Sequence, residues 1–183
     1  MTSQEIAAIY QIRRLGKGET ISFFDCGDED LNDFILNESV KYQQARLAVT
    51  CVIEYKDSDR VAGFFSLAND RVSISDFESK TEFNRFRKKR FVNEKRLKSY
   101  PAAKICRLGI DSSAKGQSLG TFILDFIKSY FIVDNKTGCR FLTVDAYVDA
   151  VPFYIKNNFL PLSSDADTSQ TQLMFFDLEE IEE

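Results

Sequence analysis

The pattern of apolar and polar positions predicts one helix more clearly than any other element. Apolar residues recur from position 119 at intervals of three and four, the spacing of one helix face. These positions are Leu119, Phe122, Ile123, Phe126, Ile127, Tyr130 and Phe131. The polar residues 134–138 follow and are expected to end the helix.

Short runs rich in β-branched and aromatic residues predict the strands. They cover residues 10–15, 47–55, 61–68, 104–110, 141–146 and 172–178. The polar turn at 56–60 separates two of these runs, so residues 47–68 are predicted to form a hairpin.

Three further helices are predicted between the strands. One begins after Asp28, whose carboxylate suits an N-cap and is followed by acidic residues in the first turn. A second covers 76–98 and is ended by Pro101, and a third runs from Asp149, as its N-cap, to Asn157. The order β-α-β-β-α-β-α-β-α-β predicts an α/β fold, a mixed sheet covered by helices.

Composition favours one self-sufficient domain over residues 1–183. Apolar residues make up 44% and charged residues 28%, the ordinary globular range, and the 17 Phe with no Trp predict a Phe-rich core. With eight Gly and three Pro, nothing in the sequence marks a linker or a domain boundary.

Several classes of chemistry are excluded by what the sequence lacks. There is no His, which excludes Ser-His-Asp and Cys-His catalysis and His-ligated zinc. The cysteines form no Cys-x-x-Cys pair: Cys26, Cys51, Cys106 and Cys139. Residues 1–16 lack the apolar core of a signal peptide and no run has the length of a membrane span. We therefore expect a cytoplasmic protein with reduced thiols, no metal and no membrane partner.

Charge is distributed unevenly along the chain. The formal net charge is −4, yet residues 85–98 carry one acid, Glu94, and a basic strip. The basic strip comprises Arg85, Arg87, Lys88, Lys89, Arg90, Lys95, Arg96 and Lys98. Such a cluster on an acidic body indicates an anionic partner, and the alternative is a solvated helix face or pairing with the acidic body. The candidate RNA-binding residues are Arg85, Lys88, Lys89 and Arg90.

The loop at 111–118 lies between a predicted strand and the helix that begins at 119. A strand, a small-residue loop and a helix N-terminus together form an anion site, because backbone N–H groups and the helix dipole point positive charge at one spot. Gly116 and Gly120 allow a ligand close to the backbone, and Lys115 adds a charge. The spacing matches neither a Walker loop nor GxGxxG, and a purely structural turn is the alternative.

Two motifs resemble those of the GNAT family of acyl-CoA-dependent N-acetyltransferases. Lys115-Gly-Gln-Ser-Leu-Gly120 is similar to the pyrophosphate loop, usually Gln/Arg-x-x-Gly-x-Gly/Ala. Residues 150–159, Ala-x-x-Phe-Tyr-x-x-Asn-Asn-Phe, resemble Ala-x-x-Phe-Tyr-x-x-x-Gly-Phe. Lys115, Ser118 and Asn158 depart from the usual Gln/Arg, Gly and Gly, although Asn accepts the left-handed backbone.

Shorter segments extend the resemblance to one subgroup, over roughly residues 20–178. The subgroup contains toxins of toxin–antitoxin pairs, which acetylate the amino group of aminoacyl-tRNA. The similar segments are Phe24–Gly27, Leu31–Phe34, Gly63–Ala68, Arg107–Asp111 and Val144–Ala146.

The resemblance implies a GNAT fold, a mixed and mostly antiparallel sheet whose central strands splay apart. It implies acetyl-CoA as co-substrate and transfer of its acetyl group to a primary amine by direct attack. The backbone N–H of Ile110 would polarise the thioester carbonyl, and Tyr154 would protonate the departing sulfur. The implied acetyl-CoA-binding residues are Leu108, Gly109, Ile110, Lys115, Gly116, Gln117, Ser118, Leu119, Gly120 and Thr121.

The general base and the acceptor stay open at the level of sequence. Base candidates are Glu54, Asp145 and bound water, and the α-amino group of an aminoacyl ester has a lowered pKa that needs no protein base. A cysteine nucleophile is not expected, since no His or metal is present to activate it. The acceptor is either an unidentified amine or aminoacyl-tRNA, and the alternative is a non-catalytic acyl-CoA-binding module. A homodimer is an open expectation.

Overall fold

The computed structural model describes residues 1–91, 97–133, 137–162 and 170–181. Within these ranges, seven strands form a mixed sheet in the order β1-β2-β3-β4-β5-β7-β6, flanked by helices. They are β1 (Tyr10–Arg14), β2 (Val49–Tyr55), β3 (Val61–Ser73), β4 (Ser99–Ile110), β5 (Phe141–Tyr147), β6 (Leu160–Pro161) and β7 (Thr171–Asp177). β4 and β5 run parallel, whereas β1–β2, β2–β3, β5–β7 and β6–β7 are antiparallel.

The helices alternate with these strands along the chain. They are α1 (Ser3–Ile9), α2 (Glu29–Asp33), α3 (Ser39–Gln44), α4 (Lys80–Lys88), α5 (Leu119–Val133) and α6 (Val151–Lys156). One turn of π-helix, Phe34–Glu38, connects α2 to α3. Single 3₁₀ turns occur at Ile74–Asp76, Ser112–Ala114, Val148–Ala150 and Leu178–Ile181. Within the described ranges, none of the helices has the length and apolar character needed to cross a membrane.

The chain divides into two compact units, and the first contains Met1–Ala68 with Ile105–Ser129. Its β-hairpin of β2 and β3 is the predicted one. A cluster of buried apolar side chains fills it: Leu15, Phe24, Cys26, Phe34, Ile35, Val52, Val61 and Phe64. A Cβ added at Gly109 would lie 2.7 Å from Phe64 Cε1, and one added at Gly63 would lie 3.1 Å from the Gly109 carbonyl oxygen. Both glycines therefore allow a backbone approach that a side chain would block.

The second unit contains Asn69–Lys104 with Tyr130–Glu183. β5 and β7 pair in register from Phe141 opposite Asp177 to Tyr147 opposite Thr171. Its core is rich in aromatic rings: Val72, Phe83, Phe86, Tyr100, Ala102, Phe141, Leu162 and Phe175. The expectation of a single domain over residues 1–183 stays a prediction.

Two predicted helices need correction. The helix expected at 76–98 is α4 alone, which is capped by the Ser79 hydroxyl and ends at Lys88, while Pro101 lies inside β4. Phe91, which lies beyond α4, packs against the core and stacks on Tyr100 at 4.3 Å between ring centroids, whereas Leu97 is 47% exposed. Residues 92–96 lie outside the described residues.

The other correction concerns the helix expected to start at Asp149. That residue lies in a 3₁₀ turn, and the N-cap of α6 is Ala150, which offers no side-chain oxygen. Two short elements, α1 and β6, were not expected from the sequence. α1 is held by a capping box of Thr2 and Glu5.

Candidate functional site

The predicted anion loop begins on a buried carboxylate. Asp111, 3% exposed, follows β4 directly, and its backbone N–H donates to the Ala62 carbonyl at 2.9 Å. Its Oδ1 accepts from the Ser113 backbone N–H at 3.0 Å and from the Ser113 hydroxyl at 2.5 Å. These bonds fix the 3₁₀ turn that leads into the loop.

Backbone donors become available only in the second half of the loop. The amides of Ser112 and Ala114 are used internally, by the carbonyls of Asp25 and Asp111. The first α5 amide with an intrahelical acceptor is that of Phe122, bonded to the Ser118 carbonyl at 3.1 Å. Over residues 116–121, no described group accepts a hydrogen bond from a backbone N–H. These amides, with the α5 dipole behind them, form a donor-rich surface suited to an anion.

Two left-handed residues shape this turn. Gly116 has φ of +78°, and a Cβ built there meets no atom within 4 Å, so the position faces open space. Ser118 has φ of +63° and is exposed. It stands where the GNAT pattern has glycine, and a left-handed non-glycine residue costs about 1 kcal/mol. The loop thus keeps the glycine geometry with a hydroxyl added.

The side chains of Lys115 and Gln117 are anchored to elements distant in sequence. Lys115 Nζ donates to the Cys26 carbonyl at 2.7 Å, which leaves two N–H groups of the ammonium for another acceptor. Gln117 Oε1 accepts from the Tyr10 hydroxyl at 2.8 Å. Burial, with the neighbouring Tyr55, raises the pKa of Tyr10 to about 12, so Tyr10 remains a donor at neutral pH. No local sequence pattern indicates this role for Tyr10 or Cys26.

The end of β4 presents backbone donors at both of its edges. The Asp111 amide is bonded to Ala62 on β3, and amides alternate between the two edges of a strand. The Leu108 and Ile110 amides therefore point away from β3, which is the direction expected for the donor to a thioester carbonyl. Gly109, between them, is buried against Phe64.

Tyr154 lies in α6 and is 6% exposed. Its ring packs against Phe159 at 5.4 Å between centroids, and its carbonyl accepts from the Phe159 amide at 3.0 Å. The chain turns there through Asn158, whose φ of +65° confirms the expected left-handed asparagine. Burial raises the pKa of Tyr154 above its ordinary value, and no described residue accepts a hydrogen bond from its hydroxyl. The phenol is therefore protonated and its proton is available.

Both candidate bases are engaged in ion pairs. Glu54, 5% exposed, accepts from Arg13 Nη2 at 2.5 Å and from Arg13 Nε at 2.8 Å. Arg13 also binds Glu19, so it bridges the two carboxylates. Asp145 is exposed and pairs with Lys104 Nζ at 2.5 Å. Neither carboxylate stands out as a proton acceptor.

None of the four cysteines forms a disulfide. Burial raises the pKa of Cys139 to about 11 and also raises the pKa values of Cys26 and Cys51. Cys51 and Cys106 are half-buried. No group of three or more His, Cys, Asp or Glu in the described ranges is arranged to hold a metal.

The basic strip is divided between surface and core. Arg85, Lys88 and Lys89 are exposed at the end of α4. Arg90 is half-buried, with Nε 3.0 Å from Asp177 and its guanidinium 4.3 Å from the Phe86 ring centroid. Arg87 is also buried. Lys95 and Arg96 lie outside the described residues.

Known structures share this fold, although no family profile matches the sequence. A Tyr-to-Phe mutant of KacT is 21% identical, with 95% of this chain and 98% of that chain covered and a TM-score of 0.77. AtaT complexed with acetyl-methionyl-tRNAfMet is 22% identical, with coverage of 94% and 96% and a TM-score of 0.71. AtaTR bound with acetyl-CoA is 23% identical, with coverage of 96% and 97% and a TM-score of 0.71. The expected GNAT fold, with its mixed and mostly antiparallel sheet, is confirmed.

Proposed function

We propose that the protein is an acetyl-CoA-dependent N-acetyltransferase that acetylates the amino group of aminoacyl-tRNA. The observation that carries the proposal is the turn at 116–121, whose backbone amides have no acceptor among the described residues. The fold likeness to AtaT, described in complexes with acetyl-CoA and with acetyl-methionyl-tRNAfMet, supports both the donor and the acceptor.

The turn fits the diphosphate of acetyl-CoA in charge and in space. Backbone amides at the α5 N-terminus can donate hydrogen bonds to phosphate oxygens. They are neutral, so no charged side chain has to be desolvated to bind the anion. Lys115 has two remaining N–H groups, and Gly116 leaves its outer side open. In this proposal the Leu108 and Ile110 amides bind the pantetheine arm and the thioester carbonyl.

The acetyl group moves in a single displacement. The substrate amine attacks the thioester carbonyl carbon, a C–N bond forms, and the C–S bond breaks. The Ile110 amide stabilises the developing oxyanion, and Tyr154 donates its proton to the leaving sulfur. The proton lost by the amine goes to water, and Tyr154 is reprotonated from solvent.

The acceptor explains why no strong base is needed. A free α-amino group has a pKa near 7.7–8.0, about 2.5 units below that of a lysine ammonium. A substantial fraction is neutral at physiological pH, and esterification to tRNA increases that fraction. Glu54 and Asp145, both held by cations, are then not required to remove a proton.

Transfer of radiolabelled acetyl from acetyl-CoA to purified aminoacyl-tRNAs tests the proposal. Label is expected as N-acetyl-amino acid released by alkaline cleavage of the tRNA ester. Calorimetry with acetyl-CoA accompanies the assay. Binding without transfer to any aminoacyl-tRNA or free amine would favour a non-catalytic acyl-CoA-binding module, and no binding at millimolar ligand would reject the proposal altogether.

The exposed part of the basic strip provides a second prediction. Replacing Arg85, Lys88 and Lys89 together by Gln removes three cations from the α4 end, each able to neutralise one phosphate. KM for aminoacyl-tRNA should rise by about tenfold or more, and the salt dependence of tRNA binding should become shallower. KM for acetyl-CoA should not change.

A matched control removes cations elsewhere on the surface. Lys17, Lys41 and Lys56 are distant in sequence from α4, and their replacement by Gln changes the net charge by the same amount. If both triple variants weaken tRNA binding equally, general charge rather than the α4 surface is responsible.

A further inference from the structure

The loop that leads into the 116–121 turn is hydrogen-bonded to Asp25 and Cys26, which lie far away in the sequence. Asp111 Oδ2 accepts from the Asp25 amide at 3.2 Å, and the Asp25 carbonyl accepts from the Ser112 amide at 2.8 Å. The third bond is that of Lys115 Nζ to the Cys26 carbonyl at 2.7 Å. We call this arrangement the Asp111 clasp, formed by Asp25, Cys26, Arg60, Asp111, Ser112, Ser113 and Lys115.

Asp111 is the centre of the clasp and is held as an anion. Its carboxylate receives three hydrogen bonds, two from Ser113 and one from Asp25, and lies 3.6 Å from Arg60 Nη2. Arg60 also donates to the Ser113 hydroxyl at 2.7 Å. Burial acts to raise the pKa of Asp111, but the bonds from Ser113 and Asp25 and the Arg60 charge lower it below its ordinary value.

A buried anion beside a diphosphate site needs an explanation. Like charges repel, so a carboxylate at this place weakens phosphate binding unless it orders the groups that bind phosphate. The clasp provides such ordering, because Asp111 links the start of the loop to the same segment that accepts the Lys115 ammonium. Gly27 in this segment has φ of +81°, and a Cβ there would lie 3.7 Å from Lys115 Nζ.

We propose that Asp111 is a positioning residue that holds Lys115 and the 116–118 turn in their diphosphate-binding arrangement. The inference rests on the proposed use of acetyl-CoA and adds a residue that does not touch it. The clasp orders the hydrogen-bond donors of the loop before the ligand binds. Binding therefore does not have to order the loop, and ligand affinity is higher for that reason.

Asp111→Asn is a nearly isosteric test. The new amide places an NH₂ group against either the Ser113 amide or the Asp25 amide, and two donors then face each other. Loss of one charge-assisted hydrogen bond should raise KM for acetyl-CoA by about 10- to 100-fold. We expect kcat to stay within about twofold, because Asp111 makes no contact that is specific to the transition state.

A truncated donor separates positioning from a general folding defect. S-acetyl-pantetheine carries the thioester but has no diphosphate, so its KM should be the same for wild type and Asp111→Asn. The exposed Asp149, replaced by Asn, is the matched control and should change neither KM. Thermal unfolding of each variant is measured in parallel.

The outcomes distinguish this inference from the proposed function. A wild-type protein that neither binds nor uses acetyl-CoA rejects the proposed function itself. The positioning role is rejected if the wild type is active and Asp111→Asn keeps the same KM for acetyl-CoA. It is also rejected if Asp111→Asn raises KM equally for acetyl-CoA and S-acetyl-pantetheine. Should Asp111→Asn fail to fold, Ser113→Ala removes the hydroxyl that donates to Asp111 and accepts from Arg60. It must then raise KM for acetyl-CoA selectively, and an equal effect on both donors overturns the inference.

Discussion

Tyr154→Phe is expected to lower kcat for acetyl transfer by about 100- to 10,000-fold, the contribution typical of a positioned general acid. The substitution removes one oxygen and leaves the ring to pack against Phe153 and Phe159. Because the hydroxyl has no acceptor among the described residues, its removal leaves no polar partner unsatisfied. Affinity for acetyl-CoA and thermal stability should therefore be nearly unchanged.

The matched control is Tyr147→Phe, which removes a hydroxyl from a ring that is 48% exposed. Single-turnover transfer to aminoacyl-tRNA and calorimetry with acetyl-CoA are measured for both variants. If the protein acts as a toxin, expression of wild type and of Tyr147→Phe should arrest growth, and Tyr154→Phe should relieve the arrest. A Tyr154→Phe enzyme with full kcat would make Tyr154 a packing residue only.

The pH profile gives an independent readout of the same role. An acid works in its protonated form, so its contribution is present below its pKa and is lost as pH rises through it. Burial raises the pKa of Tyr154 above the ordinary value of about 10. The kcat of the wild type should consequently show no decrease attributable to Tyr154 between pH 7 and about 10.

The parts of the candidate site that are formed by residues close together in the sequence could be predicted. The strand, small-residue loop and α5 were predicted because each is encoded by residues near one another, and so was the left-handed Asn158. The Asp111 clasp was not predicted, because its partners Asp25 and Asp111 are brought together only by the tertiary fold. The same holds for the Tyr10 bond to Gln117.

Charge counting explains the remaining differences. Sequence reports charge and not burial, so the basic strip left open a surface for an anionic partner, a solvated helix face and pairing with the acidic body. Arg90 pairs with Asp177, the last residue of β7. The two residues are far apart in the sequence, so no short window of sequence contains both of them. Phe83 and Phe86 lie on α4 and Phe91 lies beyond it, yet all three pack in one aromatic cluster. Because apolar residues of one cluster need not lie on one helix, the helix predicted from them is longer than α4.

Asp177 of the second unit forms ion pairs with two arginines, Arg90 and Arg140. Asp177 is 3% exposed, and its oxygens lie 2.9 Å from Arg140 Nε and 3.0 Å from Arg90 Nε. Both guanidinium groups lie over aromatic rings, Arg90 over Phe86 and Arg140 over Phe91. A single buried carboxylate therefore balances two largely desolvated cations.

Asp177→Asn should destabilise the protein by about 3 kcal/mol, because it leaves both guanidinium groups without their common counter-ion. For a chain of this length, that corresponds to a decrease in Tm of roughly 10 °C. Chemical and thermal unfolding of the purified variant measure the effect.

The control is Glu179→Gln, which removes a second carboxylate bound to Arg140 that is 57% exposed. Exposed ion pairs contribute about 0–1 kcal/mol, so this variant should unfold near the wild-type Tm. Equal losses in the two variants would show that burial of Asp177 adds nothing, and the aromatic rings alone would then hold the arginines in place.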